Sequence, residues 1–142
     1  MMSKAAPLRL LAQDPEDLEI ISAAMQDAVA KVGEISYEAK ARRLTIAFNR
    51  YRWEAGESTR VRSGLQLGGV LQVQTRKIRR RARDAVLEVL AVTFEPGEAP
   101  GGAITISCAG GGDLRAVVEC IDAVLADVSD PWPTPRTPIH AE

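Results

Sequence analysis

A chain of 142 residues that is 46% hydrophobic suits one ordinary domain with a real core. Its formal net charge of −1 excludes a uniformly charged polyelectrolyte, so any nucleic-acid role has to rest on uneven charge. Aromatics make up only 4%, so Val, Leu, Ile and Ala must fill the core. Met1–Arg9 lacks the apolar run of a secretory signal, and no stretch approaches the roughly 20 apolar residues that span a bilayer. The expectation is a soluble, cytoplasmic protein with no membrane role. Cys108 and Cys120 both lie in apolar patterns and read as reduced core residues, not as a disulfide or a ligand pair.

Pro7–Ala12 reads as a short apolar strand. Asp14-Pro15-Glu16-Asp17 is a helix start: Asp14 can cap, Pro15 suits the first turn, and the two acids favour the positive end of the dipole. The helix carries Leu18, Ile21, Ala24, Met25, Ala28 and Val29 on one face and ends close to Gly33. Ile35, Tyr37 and Ala39 alternate, and a longer strand follows over Leu44–Trp53. In it Leu44, Ile46 and Phe48 share a face, whereas Tyr51 and Trp53 fall on the other parity. Either a bulge resets the face near Asn49 or the two aromatics are on the outer side. Val61–Leu67 and Val70–Thr75 are two more strand-like runs, split by Gly68-Gly69.

A basic cluster then precedes Ala85–Glu95, a run apolar enough on both faces to predict a central strand. Pro96–Gly102 is a connection. Ala103–Ala109 alternates, Gly110-Gly111-Gly112-Asp113 supplies a hairpin turn, and Leu114, Ala116 and Val118 continue as its partner strand. From Glu119 the spacing of Cys120, Ile121, Val124, Leu125 and Val128 predicts a closing helix. Asp130–Glu142, with four prolines, reads as a largely unfolded tail behind a single domain of residues 1–129.

Runs and connections this short leave no room for parallel crossovers, so the fold class is α+β. The expected architecture is a curved antiparallel sheet or partly closed barrel of about seven or eight strands, with an N-terminal amphipathic helix and a C-terminal capping helix. The closest known arrangement is the pleckstrin-homology-like barrel, an analogy that carries no function.

Several strings occur together: Leu8–Ala12 with Asp14–Asp17, Met25–Gly33, Asn49-Arg50-Tyr51-Arg52-Trp53, Leu90–Gly97, and Gly110–Cys120 with Ile121-Asp122. Over nearly the whole chain this pattern resembles a bacterial family of small uncharacterised proteins, a domain of unknown function with no assigned activity. The resemblance implies a soluble bacterial single-domain protein and supplies no catalytic residue.

The basic cluster is the clearest polar feature: Arg76, Lys77, Arg79, Arg80, Arg81 and Arg83, with Arg60 and Arg62 as candidates to join it. Arginine forks take phosphates and carboxylates bidentately, so several in one loop attract anions. The bland reading is a solvated connection whose charges protect strand edges. The spacing of Arg79 and Arg83 also fits the arginine pair of cyclic-dinucleotide-binding barrels of the PilZ type, but the downstream Asp/Asn-x-Ser-x-x-Gly string is absent. Tyr51 and Trp53, interleaved with Arg50 and Arg52, could stack bases; use of these aromatics in the core is the favoured reading.

None of the glycine groups matches a phosphate loop or a dinucleotide fingerprint, and hairpin geometry accounts for them. The lone His140 supplies neither a metal site nor a placed base, and no paired carboxylates or nucleophile motif stand out. The sequence therefore implies no catalytic, cofactor-binding or metal residue. The expected function is a non-catalytic binding or adaptor domain whose basic loop engages a protein or another anionic partner. The first alternative is nucleic-acid binding through the same loop together with Arg50, Tyr51 and Arg52. The second is a small enzyme with an unrecognised site. The oligomeric state stays open.

Overall fold

The helix starts where the residues favour it. In the computed structural model, which describes residues 6–135, α1 (Pro15–Met25) opens on Asp14, whose carboxylate accepts the Asp17 amide at 2.8 Å. Replacing Asp14 with Ala should cost about 1 kcal/mol of stability, read as a lowered denaturation midpoint. The helix stops earlier than its apolar stripe predicts. Asp27 adopts a left-handed backbone (φ 62°) and donates its amide to the Val89 carbonyl at 2.9 Å, so Val29 belongs to a strand.

The strands are β1 (Arg9–Ala12), β2 (Val29–Lys31), β3 (Ile35–Glu38), β4 (Arg43–Tyr51), β5 (Thr59–Leu67), β6 (Val70–Arg76), β7 (Val86–Pro96), β8 (Gly102–Cys108), β9 (Asp113–Val118), β10 (Ala123–Asp127) and β11 (Trp132–Pro133). All pairings are antiparallel, in the order β1-β10-β5-β4-β2-β7-β8-β9-β6. β3 lies beside β4, and β11 beside β5, off this path. The sheet has two ends, β1 and β6, so it does not close into a barrel. The three-residue β2 is the bridge between the β1-β10-β5-β4 and β7-β8-β9-β6 portions. Leu18, Ile21 and Met25 of α1 pack with Leu44, Leu65, Ile104 and Leu125 from both portions into one core.

The expected C-terminal capping helix is a turn followed by β10. Ile121, Ala123 and Leu125 are buried while Asp122 and Val128 are exposed. So short an apolar run fits period 2 as well as period 3.6, and two flanking strands, β1 and β5, decide it. Without that helix the pleckstrin-homology-like analogy loses its basis. The strand total rises from the expected seven or eight to eleven among the described residues. The additions are β2, read as helix; β10, read as helix; and β11, read as unfolded tail. The rest of that tail, residues 136–142 with His140, lies outside the described residues.

β7 is central in strand order, as expected, but it is not buried on both faces. Val86 and Leu90 are exposed, and Val89 and Val92 are its buried members. No helix among the described residues is long and apolar enough to cross a membrane.

Candidate functional site

The basic loop is the connection from β6, the end strand, to β7, three places further along the sheet. Residues 77–85 must therefore cross the ends of β9 and β8. Two features hold them there. Ile78 packs against the core and also lies close to Gly112 in the β8–β9 turn. At the other end Gly33 donates its amide to the Arg83 carbonyl at 2.8 Å, and Val32 donates to the Ala85 carbonyl at 2.9 Å. Between them the chain makes two turns, with Ala82 donating to the Arg79 carbonyl at 3.1 Å and Ala85 to that of Ala82 at 2.9 Å. The loop has a defined backbone, and its cations face water.

Those cations differ in what they touch. Arg76 pairs with Asp113 at 2.6 Å. Arg80 donates from Nε to the Thr75 hydroxyl at 3.2 Å, and Arg83 donates to the Gly33 carbonyl at 3.4 Å. Lys77, Arg79 and Arg81 are exposed and make no ion pair among the described residues. Arg60 and Arg62 do not join the cluster. They sit on β5, where Arg60 lies over the Tyr51 ring at 5.9 Å and Arg62 pairs with Glu34 at 2.8 Å.

Beside the loop is a cleft of about 260 Å³ between β3 and β6. Val32, Ile35, Val73, Ile78 and Leu114 give it apolar walls, and Arg80 and Arg83 line it too. Among the described residues β3 pairs only with β4, and β6 only with β9, so a strand edge without a partner strand borders the cleft on each side. The two strands meet at one end, where the Tyr37 hydroxyl donates to the Val70 carbonyl at 3.0 Å. The sequence hid this cleft because strand order brings β3 opposite β6 across a gap in the chain, and local periodicity does not encode strand order. The charge run was its one visible sign.

In the second candidate, Arg50 to Trp53, the first three residues are buried. Burial alternates through Leu44, Ile46, Phe48 and Arg50, and pairing with β5 runs unbroken from Leu44↔Leu67 to Tyr51↔Arg60. There is no bulge at Asn49; Tyr51 takes the outer parity, while the strand ends there and Trp53, expected in it and in the core, lies partly exposed in a 3-10 turn over Trp53–Ala55. Tyr51 is nonetheless buried, under an edge-on contact with Trp53 at 4.6 Å and the Arg60 guanidinium. Arg52 is buried and bonds the Thr59 hydroxyl at 3.1 Å.

Arg50 occupies the inner parity with its side chain wholly buried. It donates to both Asp127 oxygens at 3.0 Å and to the two Glu54 oxygens at 3.0 and 2.7 Å. Ser63 donates to Asp127 at 2.7 Å, and the Leu8 amide donates to it at 2.9 Å. Burial pushes the Asp127 carboxyl up, but Arg50, Ser63 and Leu8 outweigh it and hold the group below its ordinary value. Arg50 likewise holds Glu54 low, against the pull of burial. The two carboxylates take four of the five guanidinium N–H groups and the Tyr51 carbonyl accepts the fifth at 3.4 Å, so no donor is left for a ligand and this is a clamp joining β4, β5, β10 and the chain before β1.

The glycine groups serve turns and close packing. Gly69, Gly110 and Gly111 have positive φ, while Gly102 lies within β8. Among the described residues no group of three His, Cys, Asp or Glu side chains is placed to hold a metal ion. Cys108 and Cys120 are free thiols; Cys108 is buried, which pushes its pKa up with help from Asp113, while Cys120 is only partly buried.

Residues 8–140 match the model of one family, described as a protein of unknown function (DUF2948). No curated protein and no solved structure matches the chain.

Proposed function

The chain belongs to the DUF2948 family, which lends it no activity, and from the site alone we propose a non-catalytic binding or adaptor domain that engages an anionic partner through Arg76–Arg83. The observation that carries this reading is the exposure of Lys77, Arg79 and Arg81, without ion-pair partners among the described residues, on a loop whose two ends are pinned. A pinned loop loses little backbone entropy on binding, so its guanidinium forks are available at low cost. A soluble bacterial cytoplasmic setting belongs to the same proposal; the two free thiols fit a reducing compartment.

Nucleic acid is the second reading, on the strength of the same exposed cations. It is weakened by the burial of Arg50, Tyr51 and Arg52, which removes the base-stacking platform and leaves phosphate contacts alone. Among the described residues a catalytic reading finds no convergent polar group to build on, since the buried Arg50 cluster is saturated.

The test is fluorescence anisotropy of labelled polyglutamate and of a labelled oligothymidylate across a salt series. Polyglutamate should bind at low salt, with affinity that falls as salt rises because exposed charges are screened. Absence of binding to either polyanion at low salt overturns the reading. Oligothymidylate binding more than about tenfold tighter than polyglutamate puts nucleic acid ahead.

A further inference from the structure

We propose that the cleft between β3 and β6 takes an extended acidic peptide segment, which adds as a strand along the free edge of β6. Alternate apolar side chains of the segment enter the cleft, and its carboxylates meet Arg80 and Arg83, the cations that line it. This deepens the reading of the basic loop as an anion-binding surface, and rests on it.

Three observations favour a peptide strand. The first is the edge. β6 is seven residues long and, among the described residues, pairs with a strand on one side only; on the other side Val70 alone is held, its amide by the Arg42 carbonyl at 2.9 Å, and Val70 to Thr75 carry no charge and no proline. Sheets normally blunt such edges, because a row of free N–H and C=O groups recruits another strand. Here the only irregularity is the register shift between Val70 and Gln72, at the end where Tyr37 already bridges to Val70. The remaining stretch, through Val73 to Arg76, is open. β1, at the opposite end of the sheet, is only four residues long.

The second is the size and lining of the cleft. About 260 Å³ falls below the range of roughly 300–1,000 Å³ typical of small-molecule and cofactor pockets. The space suits side chains arriving singly from a neighbouring strand. Strand addition works this way: main-chain hydrogen bonds give affinity, and pockets for alternate side chains give specificity.

The third is charge. The open end of the edge runs directly into the arginine loop. The loop's own acid, Asp84, is almost fully exposed and faces Lys31 at 4.0 Å, so it does not neutralise the arginines. A segment that is apolar where it meets Val73 and Ile78 and acidic where it reaches Arg80 and Arg83 complements both parts. A nucleic-acid strand would leave the apolar walls facing phosphate.

The experiment uses the full chain and three labelled synthetic peptides of equal length. One alternates Glu with Val, one alternates Lys with Val, and one repeats the Glu/Val order with alternate backbone amides N-methylated. Fluorescence anisotropy should show the Glu/Val peptide binding at least about tenfold tighter than the Lys/Val peptide and than polyglutamate of equal length. N-methylation should weaken it by a similar factor, since it removes main-chain donors without changing charge. If polyglutamate binds as well as the Glu/Val peptide, or N-methylation has no effect, strand addition is overturned while the anion-binding loop survives. If neither acidic peptide nor polyglutamate binds, both readings fall. Sedimentation of the protein alone supplies the last arm: a dimer that the Glu/Val peptide does not dissociate overturns the proposal, because a second copy then occupies the edge.

Discussion

Replacing Arg50 with Met should lower stability by about 3–5 kcal/mol, because it leaves the Asp127 carboxylate buried without its cation. For a chain of 142 residues that corresponds to a fall of roughly 10–15 °C in the thermal midpoint. The loss is large because the guanidinium joins separate parts of the sheet. Asp127 closes β10, Glu54 follows β4, and Ser63 belongs to β5. The double variant Arg50→Met/Asp127→Leu should recover a substantial part of the stability, since exchanging both members of a buried pair for apolar groups is often neutral or favourable.

The clamp also fixes the sign of the pH dependence. Asp127 and Glu54 both have folded pKa values below their ordinary ones. Their stabilisation is complete above the unfolded carboxylate range of about pH 4, and is lost as pH falls through the lower folded values. Wild type should therefore weaken steeply on acidification. In Arg50→Met the buried Asp127 is destabilised in its charged form, so protonating it relieves the strain and the gap between the two proteins narrows. Urea unfolding at neutral pH and again near pH 3 checks this; a gap that stays constant contradicts the clamp.

Two glycine-to-alanine changes in strands should have opposite signs. Gly102 sits in β8 between Pro96 and Val118. A methyl group there would lie 2.7 Å from the Phe94 ring and still nearer to the Glu95 carbonyl. The backbone of the β7–β8 hairpin cannot yield without losing register, so Gly102→Ala should destabilise by about 2–3 kcal/mol. Gly64 in β5 lies between Ala47 and Ala126, and a methyl group there meets nothing within 4 Å. Gly64→Ala should stabilise by about 0.5–1 kcal/mol by restricting the unfolded chain. Denaturation of the two variants beside wild type gives both values, and a shared sign would refute the packing argument.

What the sequence made legible is what local chemistry determines. Asp14-Pro15 marked the helix start, the glycines at 110–112 marked the β8–β9 turn, and alternation marked β8 and β9. The errors fall where a neighbour decides. β2 and β10 are short apolar segments whose form is set by the strands they join, and β11 exists because Trp132 and Pro133 find Thr59 and Arg60. Arg50 could have been noticed as a cation on the inward parity of Leu44, Ile46 and Phe48. Its partner Asp127 is 77 positions away, in a segment read as helix. The basic loop was plain in the charge pattern, but its cleft depends on β6 being a sheet end, which only the strand order reveals.

The measurement that bears most directly on the basic loop as a binding surface compares wild type with Arg79→Glu/Arg80→Glu/Arg81→Glu. Affinity for labelled polyglutamate and the unfolding midpoint are read on the same preparations. The three side chains are exposed, so stability should stay within about 0.5 kcal/mol of wild type. Affinity should fall by at least about thirtyfold, because reversed charges repel the ligand as well as losing their contacts. An unchanged affinity in a variant that is equally stable would make the cluster a solvated connection and contradict the account.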